Sequence, residues 1–232
     1  QGLPHVSPED TIREVKRLTG RMVAINLEPA TIKNNDEESV WNLTTGRQAT
    51  VDNARKAADM GVDMIVLTGN PGVGVDNEAI IQALSKLKDA VGDRVILTAG
   101  KMHASGIISE AGEKILTEKD IVDFIDAGAD VILLPAPGTV PGITMEYAGK
   151  LIKKAHEKGA LAMTTIGTSQ EGADEDTIRQ IALMCKMAGA DIHHIGDSGY
   201  MGMALPENIT AYSVAIRGKR HTYRRMAMSL LR

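Results

Sequence analysis

The sequence contains very little cysteine and few aromatic residues. Among its 232 residues are one Cys, one Phe and one Trp. The single thiol, Cys185, cannot form an intrachain disulfide or a zinc site built from several thiolates, and its place in a helical pattern predicts an ordinary buried side chain. With so few aromatic rings, the core is predicted to consist of Ile, Leu, Val, Met and Ala.

Long apolar runs and excess positive charge are also missing. No run approaches the roughly 18 apolar residues that cross a membrane, and the first ten residues do not have the pattern of a signal peptide. We therefore expect a cytoplasmic protein with no membrane partner. A formal net charge of −4 argues against a nucleic-acid partner, and the basic cluster RGKRHTYRR at 217–225 is predicted to be the solvated end of a helix.

One unit of helix, glycine and strand recurs along the chain. ADMGVDMIVL at 58–67 resembles IDAGADVILL at 125–134 and KMAGADIHHI at 186–195. Each glycine suits the left-handed residue that ends a helix, and each apolar run after it is nearly continuous, as in parallel strands covered on both faces. The recurrence predicts an α/β fold with a parallel sheet.

Six strands and seven helices follow from the apolar patterns. The predicted strands lie near 22–28, 63–69, 94–100, 130–136, 160–166 and 191–196. The predicted helices lie at 7–18, 48–60, 76–90, 117–127, 144–157, 174–188 and 207–230. We expect one domain over residues 1–232.

Two architectures fit six parallel strands: an open doubly wound sheet, or an aldolase-type (β/α)8 TIM barrel whose first two strands lie upstream of Gln1. Aligning the strands on their opening Asp residues favours the barrel, because one face is apolar in mid-strand and polar or small at its end. This face is predicted to end in Asn26, Thr68, Thr98, Pro135, Thr164 and Gly196. For strands without the Asp, a shift of one residue would exchange the two faces.

Long loops follow the predicted strands, whereas the opposite loops are short, which marks the functional face of an α/β protein. The loop with GNPGVG at 69–74 lacks the Lys-Ser/Thr of a P-loop and is a weak anion site. The ends of the last two strands, IGTSQEG and IGDSGYMG, are better candidates for phosphate. The predicted substrate- and phosphate-binding residues are Asn26, Thr68, Asn70, Gly167, Thr168, Ser169, Ser198 and Gly199.

Four residues are predicted to carry out chemistry: Lys101, His103, Glu28 and His194. Lys101 has three interpretations, which are a Schiff-base nucleophile, a contact to phosphate or carboxylate, and a solvated loop lysine. His103 suits a proton carrier near neutral pH. His194 is preferred over His193 as the inward-facing histidine, since adjacent strand residues face opposite ways.

A divalent cation is a further expectation. Glu28 and Asp197 follow two different predicted strands, and oxygen ligands of this kind suit Mg²⁺. The same two carboxylates would equally serve as an acid and a base. No second carboxylate lies close to either in a pattern specific for a metal, so the cofactor is left open, with Mg²⁺ as the candidate.

Four segments carry a resemblance to a known family: GKMHASGI, LLPAPGTVPGIT, TTIGTSQEGAD and HIGDSGYMG. Together they resemble an uncharacterised bacterial TIM-barrel family whose members often bear the label haloacid dehalogenase-like hydrolase and are encoded near sugar phosphotransferase genes. The similarity extends over the whole chain. It implies a βαβα segment before residue 1, which would supply the two further strands, and it assigns no catalytic residue.

The hydrolase label is attributable to IGDSG, which looks like the metal-binding Gly-Asp motif of haloacid dehalogenase phosphatases. Those enzymes also need an Asp-x-Asp pair whose first Asp is the nucleophile, and no Asp-x-Asp-x-Thr/Val follows any predicted strand of this sequence. HHIGDSGYMG is therefore interpreted as the mouth of a barrel strand.

Three functions remain open at this point. The first is an enzyme of lyase or isomerase type, a homo-oligomer that acts on a small phosphorylated sugar or carboxylate by proton transfer or aldolase chemistry. The second is a phosphosugar sensor without turnover, and the third is a phosphatase. The fold analogy supports the first more than any single residue does.

Overall fold

The computed structural model describes residues 5–30, 43–69, 74–103, 112–167, 170–196 and 203–228. Helices and strands alternate along these ranges. The strands are β1 (Ala24–Leu27), β2 (Met64–Leu67), β3 (Ile96–Gly100), β4 (Val131–Pro135), β5 (Leu161–Ile166) and β6 (Ile192–Ile195). The helices are α1 (Thr11–Thr19), α2 (Val51–Asp59), α3 (Asn77–Val91), α4 (Glu118–Asp126), α5 (Met145–Glu157), α6 (Glu175–Ala188) and α7 (Pro206–Ala227).

The six strands form one parallel sheet in the order β1-β2-β3-β4-β5-β6. The sheet curls into a half-barrel with the helices on its outer side, which confirms the predicted aldolase-type barrel architecture. Within the described ranges, β1 and β6 each pair with one neighbouring strand, so the sheet is open between them. That two further strands close this gap stays a prediction.

The Asp residue that precedes every second strand has one repeated role. Asp63, Asp130 and Asp191 each accept a hydrogen bond from the backbone N–H that begins the neighbouring strand, at 2.8–2.9 Å. Each also pairs with a basic side chain of an odd-numbered helix, namely Lys16, Lys88 and His156 in that order. The recurring Gly-x-Asp pattern of the sequence therefore fixes the amino ends of the strands, opposite the loops expected to carry function.

Asp130→Ala is expected to lower the free energy of unfolding by about 1–2 kcal/mol, because it removes a charge-assisted bond to the Leu97 N–H and leaves that donor without its partner. The Lys88 pair adds little, since both side chains are 39% exposed. Urea unfolding measures the loss. Asp126→Ala, which removes only a surface pair with Lys158, is the matched control. Equal losses in the two variants would contradict this role.

The two faces of the sheet differ as predicted, except in β5. Met163 belongs to the inner apolar cluster, whereas Ala162 packs on the helix side and Thr164 lies near Cys185 and Tyr212 of the outer helices. The prediction that Thr164 faces inward is therefore wrong. The strand has no opening Asp to set its phase, and a shift of one residue exchanges the faces.

The helices differ from prediction mainly at their ends. Ser7 forms a local turn, in which its carbonyl accepts from the Asp10 N–H at 3.1 Å, so α1 begins at Thr11 instead of Ser7. Helix α7 is kinked at Gly218, where φ is 75° and ψ is 163°. Most of its basic cluster is exposed, as expected. Among the described residues, no helix combines the length and the apolar character needed to cross a membrane.

Candidate functional site

The inner face of the sheet changes from apolar to polar toward the carboxyl ends of the strands. Its apolar part is built from Met64, Val131, Leu133 and Met163, with Met102 packed among them. The side chains of Asn26, Glu28, Thr68 and Thr98 share the inward direction on β1 to β3, as the alternation along the strands and the register between them require. This end of the sheet is the candidate site.

Glu28, directly after β1, is a buried carboxylate with one cationic partner among the described residues. Its side chain is 6% exposed, and Oε1 pairs with Nη2 of Arg47, whose side chain is 43% exposed. Burial raises the pKa of Glu28, and the charge and hydrogen bond of Arg47 act in the opposite direction. The result is a carboxyl group whose affinity for a proton is higher than that of an exposed glutamate, which suits acid-base chemistry.

Arg47 is a residue that sequence reasoning missed. It ends a short 3-10 turn, Thr45–Arg47, in the long polar loop after β1. Backbone hydrogen bonds join this turn to β1, from the Glu28 N–H to the Arg47 carbonyl at 2.7 Å and from the Ala49 N–H to the Glu28 carbonyl at 3.0 Å. Nothing in the sequence distinguished this arginine from the other basic residues on the surface.

Three inward oxygens have no hydrogen-bond partner within the described part of the chain. They are Oδ1 of Asn26, Oγ1 of Thr68 and Oγ1 of Thr98. Thr68 and Thr98 are almost fully buried, and unpaired polar atoms at such depth are costly unless water, a ligand or another segment satisfies them. The structure thus places the predicted residues Asn26 and Thr68 beside Glu28 on adjacent strands.

Lys101 and His103 follow β3. Lys101 is only 3% exposed, which excludes the solvated loop lysine among its three interpretations, and His103 is half-buried. Met102, between them, turns into the inner apolar cluster. A Cβ atom at Gly167, after β5, would lie 2.7 Å from the Met102 sulfur, so the absence of a side chain at Gly167 lets the ends of β3 and β5 approach.

The two adjacent histidines of β6 face opposite ways. Nδ1 of His193 is 2.9 Å from the hydroxyl of Tyr212 on α7, so His193 lies on the helix side. Burial, with a smaller contribution from Arg217, lowers the pKa of His193. His194 is half-buried and aligned with Thr165 and Pro135, which places it on the inner face.

Six predicted site residues lie outside the described part of the chain. They are Asn70, Thr168, Ser169, Asp197, Ser198 and Gly199. The proposed phosphate loops therefore remain predictions, as does a Mg²⁺ site between Glu28 and Asp197. Within the described ranges, no three His, Cys, Asp or Glu side chains are grouped so that they could hold a metal ion.

A second buried carboxylate was not predicted. Glu171 lies just after β5 and is 7% exposed, and its Oε2 has no hydrogen-bond partner among the residues described. Asn208 of α7 holds this turn by donating from Nδ2 to the Glu171 and Ala173 carbonyls, both at 2.8 Å. In the sequence, the only indication of a role for Glu171 is that it follows a predicted strand.

A groove of about 450 Å³ lies elsewhere, on the outer helical layer. Its walls are charged side chains of α1 and α2 and of the turn before α1, among them Asp10, Arg13, Arg55 and Asp59. None of its lining residues belongs to a strand, so this groove is separate from the candidate site.

The family model described as Domain of unknown function (DUF7916) matches residues 1–232. Its description agrees with the expected resemblance to an uncharacterised family. Neither this description nor the related proteins below support the haloacid dehalogenase label, and that part of the expected resemblance is not upheld.

Curated relatives match a part of the chain. A Haemophilus influenzae protein to which N-acetylmannosamine-6-phosphate 2-epimerase activity is attributed is 37% identical over 89 residues, which is 38% of this chain and 33% of the relative. A protein of Actinobacillus pleuropneumoniae with the same attribution is 36% identical over 88 residues. The matched stretch thus spans a third of the length of these relatives.

Solved structures show the same fold. The tetrameric deoxyribose phosphate aldolase of Aeropyrum pernix has a TM-score of 0.58 at 16% identity, covering 91% of this chain and 81% of that one. Pyruvate carboxylase of Rhizobium etli has a TM-score of 0.60 at 15% identity, covering 95% of this chain and 21% of that one. At such low identities the likeness establishes the barrel architecture alone.

Proposed function

Since the chain belongs to the DUF7916 family, whose description names no activity, we propose a function from its own site and its relatives. The protein is an enzyme of aldolase or epimerase type that acts on a small phosphorylated sugar at the carboxyl ends of the strands. Curated relatives with an epimerase attribution and an aldolase-type barrel both support this class. A phosphatase is not favoured, because none of the relatives above points to hydrolysis.

The two reaction types share one chemical requirement. Epimerisation beside a carbonyl group removes a proton from carbon, and aldol cleavage breaks the bond one carbon further away. Both leave negative charge that spreads onto the carbonyl oxygen. The site must therefore supply a base and a group that stabilises an oxyanion.

The single observation that carries the proposal is the buried Glu28 carboxylate with its raised pKa. We assign Glu28 as the group that takes and returns the proton. In this proposal His194 or His103 transfers a second proton, and Asn26 and Thr68 contact sugar hydroxyls. The phosphate is bound at the loops after β5 and β6, by Gly167, Thr168, Ser169, Ser198 and Gly199, and Asn70 is the alternative contact.

The burial of Lys101 supports a second candidate mechanism. A lysine in an apolar setting can attack a carbonyl carbon and release water to give an imine, as Schiff-base enzymes do. In the first mechanism, the same side chain in its protonated form instead stabilises the oxyanion by charge alone. The two roles differ in whether a covalent bond forms between the lysine and the substrate.

A panel of phosphosugars, including N-acetylmannosamine 6-phosphate and deoxyribose 5-phosphate, tests the proposal by NMR detection of products. Lys101→Met is expected to lower turnover at least about 100-fold, because the nitrogen that either mechanism needs is lost. Lys158→Met, at a surface pair with Asp126, is the control and should retain full turnover.

Borohydride separates the two mechanisms. Mass spectrometry after reduction in the presence of substrate should show an adduct on Lys101 if an imine forms and none if it does not. Wild-type protein that binds the phosphosugars without converting them would identify a sensor and overturn the enzymatic proposal. Release of inorganic phosphate alone would identify a phosphatase.

A further inference from the structure

We propose that two copies of this chain form a symmetric dimer through the outer side of helices α6 and α7. This surface consists of the exposed residues within 174–187 and 205–225 and is called the α6–α7 face. Its partner is therefore a second copy of the same chain. The proposal concerns the helical layer and not the strand ends, so it stands or falls independently of the proposed function.

Helices α6 and α7 lie side by side and run in the same direction. Near the start of α7, Nδ2 of Asn208 donates to the Glu171 and Ala173 carbonyls, which directly precede α6. Near the end of α6, Nζ of Lys186 donates to the carbonyl of Ile216, in the middle of α7, at 2.7 Å. The α6–α7 face thus has one end where both helices start, beside the carboxyl ends of the strands, and an opposite end toward which both run.

The two ends of this face carry opposite charge. Where the helices start, Arg179 is the one basic residue among four exposed carboxylates, which are Asp174, Glu175, Asp176 and Glu207. Toward the opposite end, five basic side chains of α7 are exposed, namely Arg217, Lys219, Arg220, Arg224 and Arg225. The sequence has no acidic residue after Glu207, and α6 has none after Asp176.

The helix dipole alone does not explain this charge pattern. Its effect on charged side chains falls off within the first and last turns of a helix. The basic residues of α7 instead extend from Arg217 to Arg225, and within the described ranges none of them pairs with a carboxylate. Five neighbouring cations repel one another, and a negative surface opposite them relieves this repulsion.

Between the charged ends, α6 presents two large apolar side chains to solvent. Leu183 is 47% exposed and Met187 is 70% exposed, and the two are one helical turn apart on the same side. Helix α6 packs between α5 and α7, so its other sides are covered within the chain. Methionine is enriched in the buried centres of protein interfaces, whereas charged residues occupy the rim.

A two-fold axis perpendicular to the helices accounts for both features. In a symmetric dimer both copies use the same patch, so the patch must be complementary to itself. When two α6–α7 faces meet in antiparallel directions, the acidic end of each copy lies over the basic end of the other, and the apolar middles meet. A parallel arrangement would instead place like charges opposite each other.

The size of the face predicts a weak dimer. Helices α6 and α7 have 14 and 22 residues. At about 1.5 Å per residue and a width of about 10 Å for each helix, they offer roughly 500 Å² per copy. The total of about 1,000 Å² is near the lower limit for a specific interface, so we expect a dimer that dissociates on dilution.

Sedimentation velocity at increasing protein concentration tests the proposal without any substrate. The wild type should shift from monomer to dimer, and the association should weaken with added salt, because salt screens exposed charges. Met187→Glu should weaken the association at least about tenfold, since it places an unpaired charge in the apolar middle. Lys119→Glu, an exposed charge reversal on α4, is the control and should associate as the wild type does.

Charge reversal at the two ends is a sharper test. The acid-reversed variant carries Glu175→Lys, Asp176→Lys and Glu207→Lys. The base-reversed variant carries Arg220→Glu, Arg224→Glu and Arg225→Glu. In each variant alone both ends of the face have charge of the same sign, so each should remain monomeric. A mixture of the two variants should form a heterodimer, because each end then meets opposite charge on the other copy.

Four results would overturn the proposal. One is wild-type protein that stays monomeric at every concentration. Another is a dimer that persists in Met187→Glu, since the contact would then lie on a different face. The third is failure of the two reversed variants to pair, with circular dichroism showing that both are folded; if either is unfolded, Met187→Glu decides. The fourth is a monomeric wild type that binds anionic vesicles or RNA through its basic end, which would assign that end to another partner.

Discussion

Glu28→Gln is expected to reduce turnover by about 10²–10⁴-fold, the usual contribution of a positioned acid-base group. Glutamine has the same shape and can still accept a hydrogen bond from Arg47, but it cannot take up a proton. Steady-state kinetics with a phosphosugar substrate measures the loss. Turnover equal to that of the wild type would show that another group removes the proton.

The stability of the Glu28→Gln variant distinguishes an acid-base role of Glu28 from a structural one. Burial raises the pKa of Glu28 in the folded protein, so the folded state favours the protonated form. The wild type therefore loses stability as pH rises from the ordinary glutamate pKa through the raised folded value, and glutamine removes this loss. At neutral pH the variant should melt within a few degrees of the wild type or above it. A large drop in melting temperature would make Glu28 structural instead.

Gly100→Ala is expected to destabilise the fold by several kcal/mol, the largest stability effect among these substitutions. A Cβ atom at Gly100 would lie 1.8 Å from the carbonyl oxygen of Leu133 on β4, far inside van der Waals contact, so β3 and β4 would have to separate. Backbone atoms cannot move aside as a flexible side chain can. The positive φ of 154° adds strain to the clash.

Thermal and urea unfolding test this prediction, and Gly159→Ala is the matched control. Gly159 also has a positive φ, of 87°, but a Cβ atom there would meet no other atom within 4 Å, so the control measures backbone strain alone, about 1 kcal/mol. Equal losses in the two variants would show that β3 and β4 do not approach closely at Gly100. In any Gly100→Ala protein that remains soluble, the shift of β3 should also move the neighbouring Lys101 away from its wild-type position.

The strand positions were predictable because each carries a local signal. The Asp residues before β2, β4 and β6 mark where a strand begins and set which side chains face inward, and every predicted strand is present to within two residues. β5 has no such residue, and its face was assigned incorrectly at Thr164. The inward positions of Asn26 and Thr68 followed from the same alternation that failed there.

The parts of the site that were missed depend on contacts between distant segments. Arg47 lies 19 residues after Glu28, in a polar loop without periodicity, and only the folded turn brings the two together. In the sequence, Gly100 cannot be distinguished from any other glycine that precedes a loop. Its close contact with Leu133 arises only when β3 pairs with β4. Glu171 became notable only through its burial. Spacing along the chain does not encode such contacts.

Solvent exchange in D₂O tests the central claim, that these strand ends carry out chemistry beside the carbonyl carbon of a phosphosugar. The protein is incubated with N-acetylmannosamine 6-phosphate and, separately, with deoxyribose 5-phosphate, and the products are followed by proton NMR and mass spectrometry. We predict either deuterium at the carbon next to the carbonyl or cleavage one bond further along, each abolished in Glu28→Gln. Unlabelled and uncleaved sugars, or label that persists in Glu28→Gln, would contradict the account.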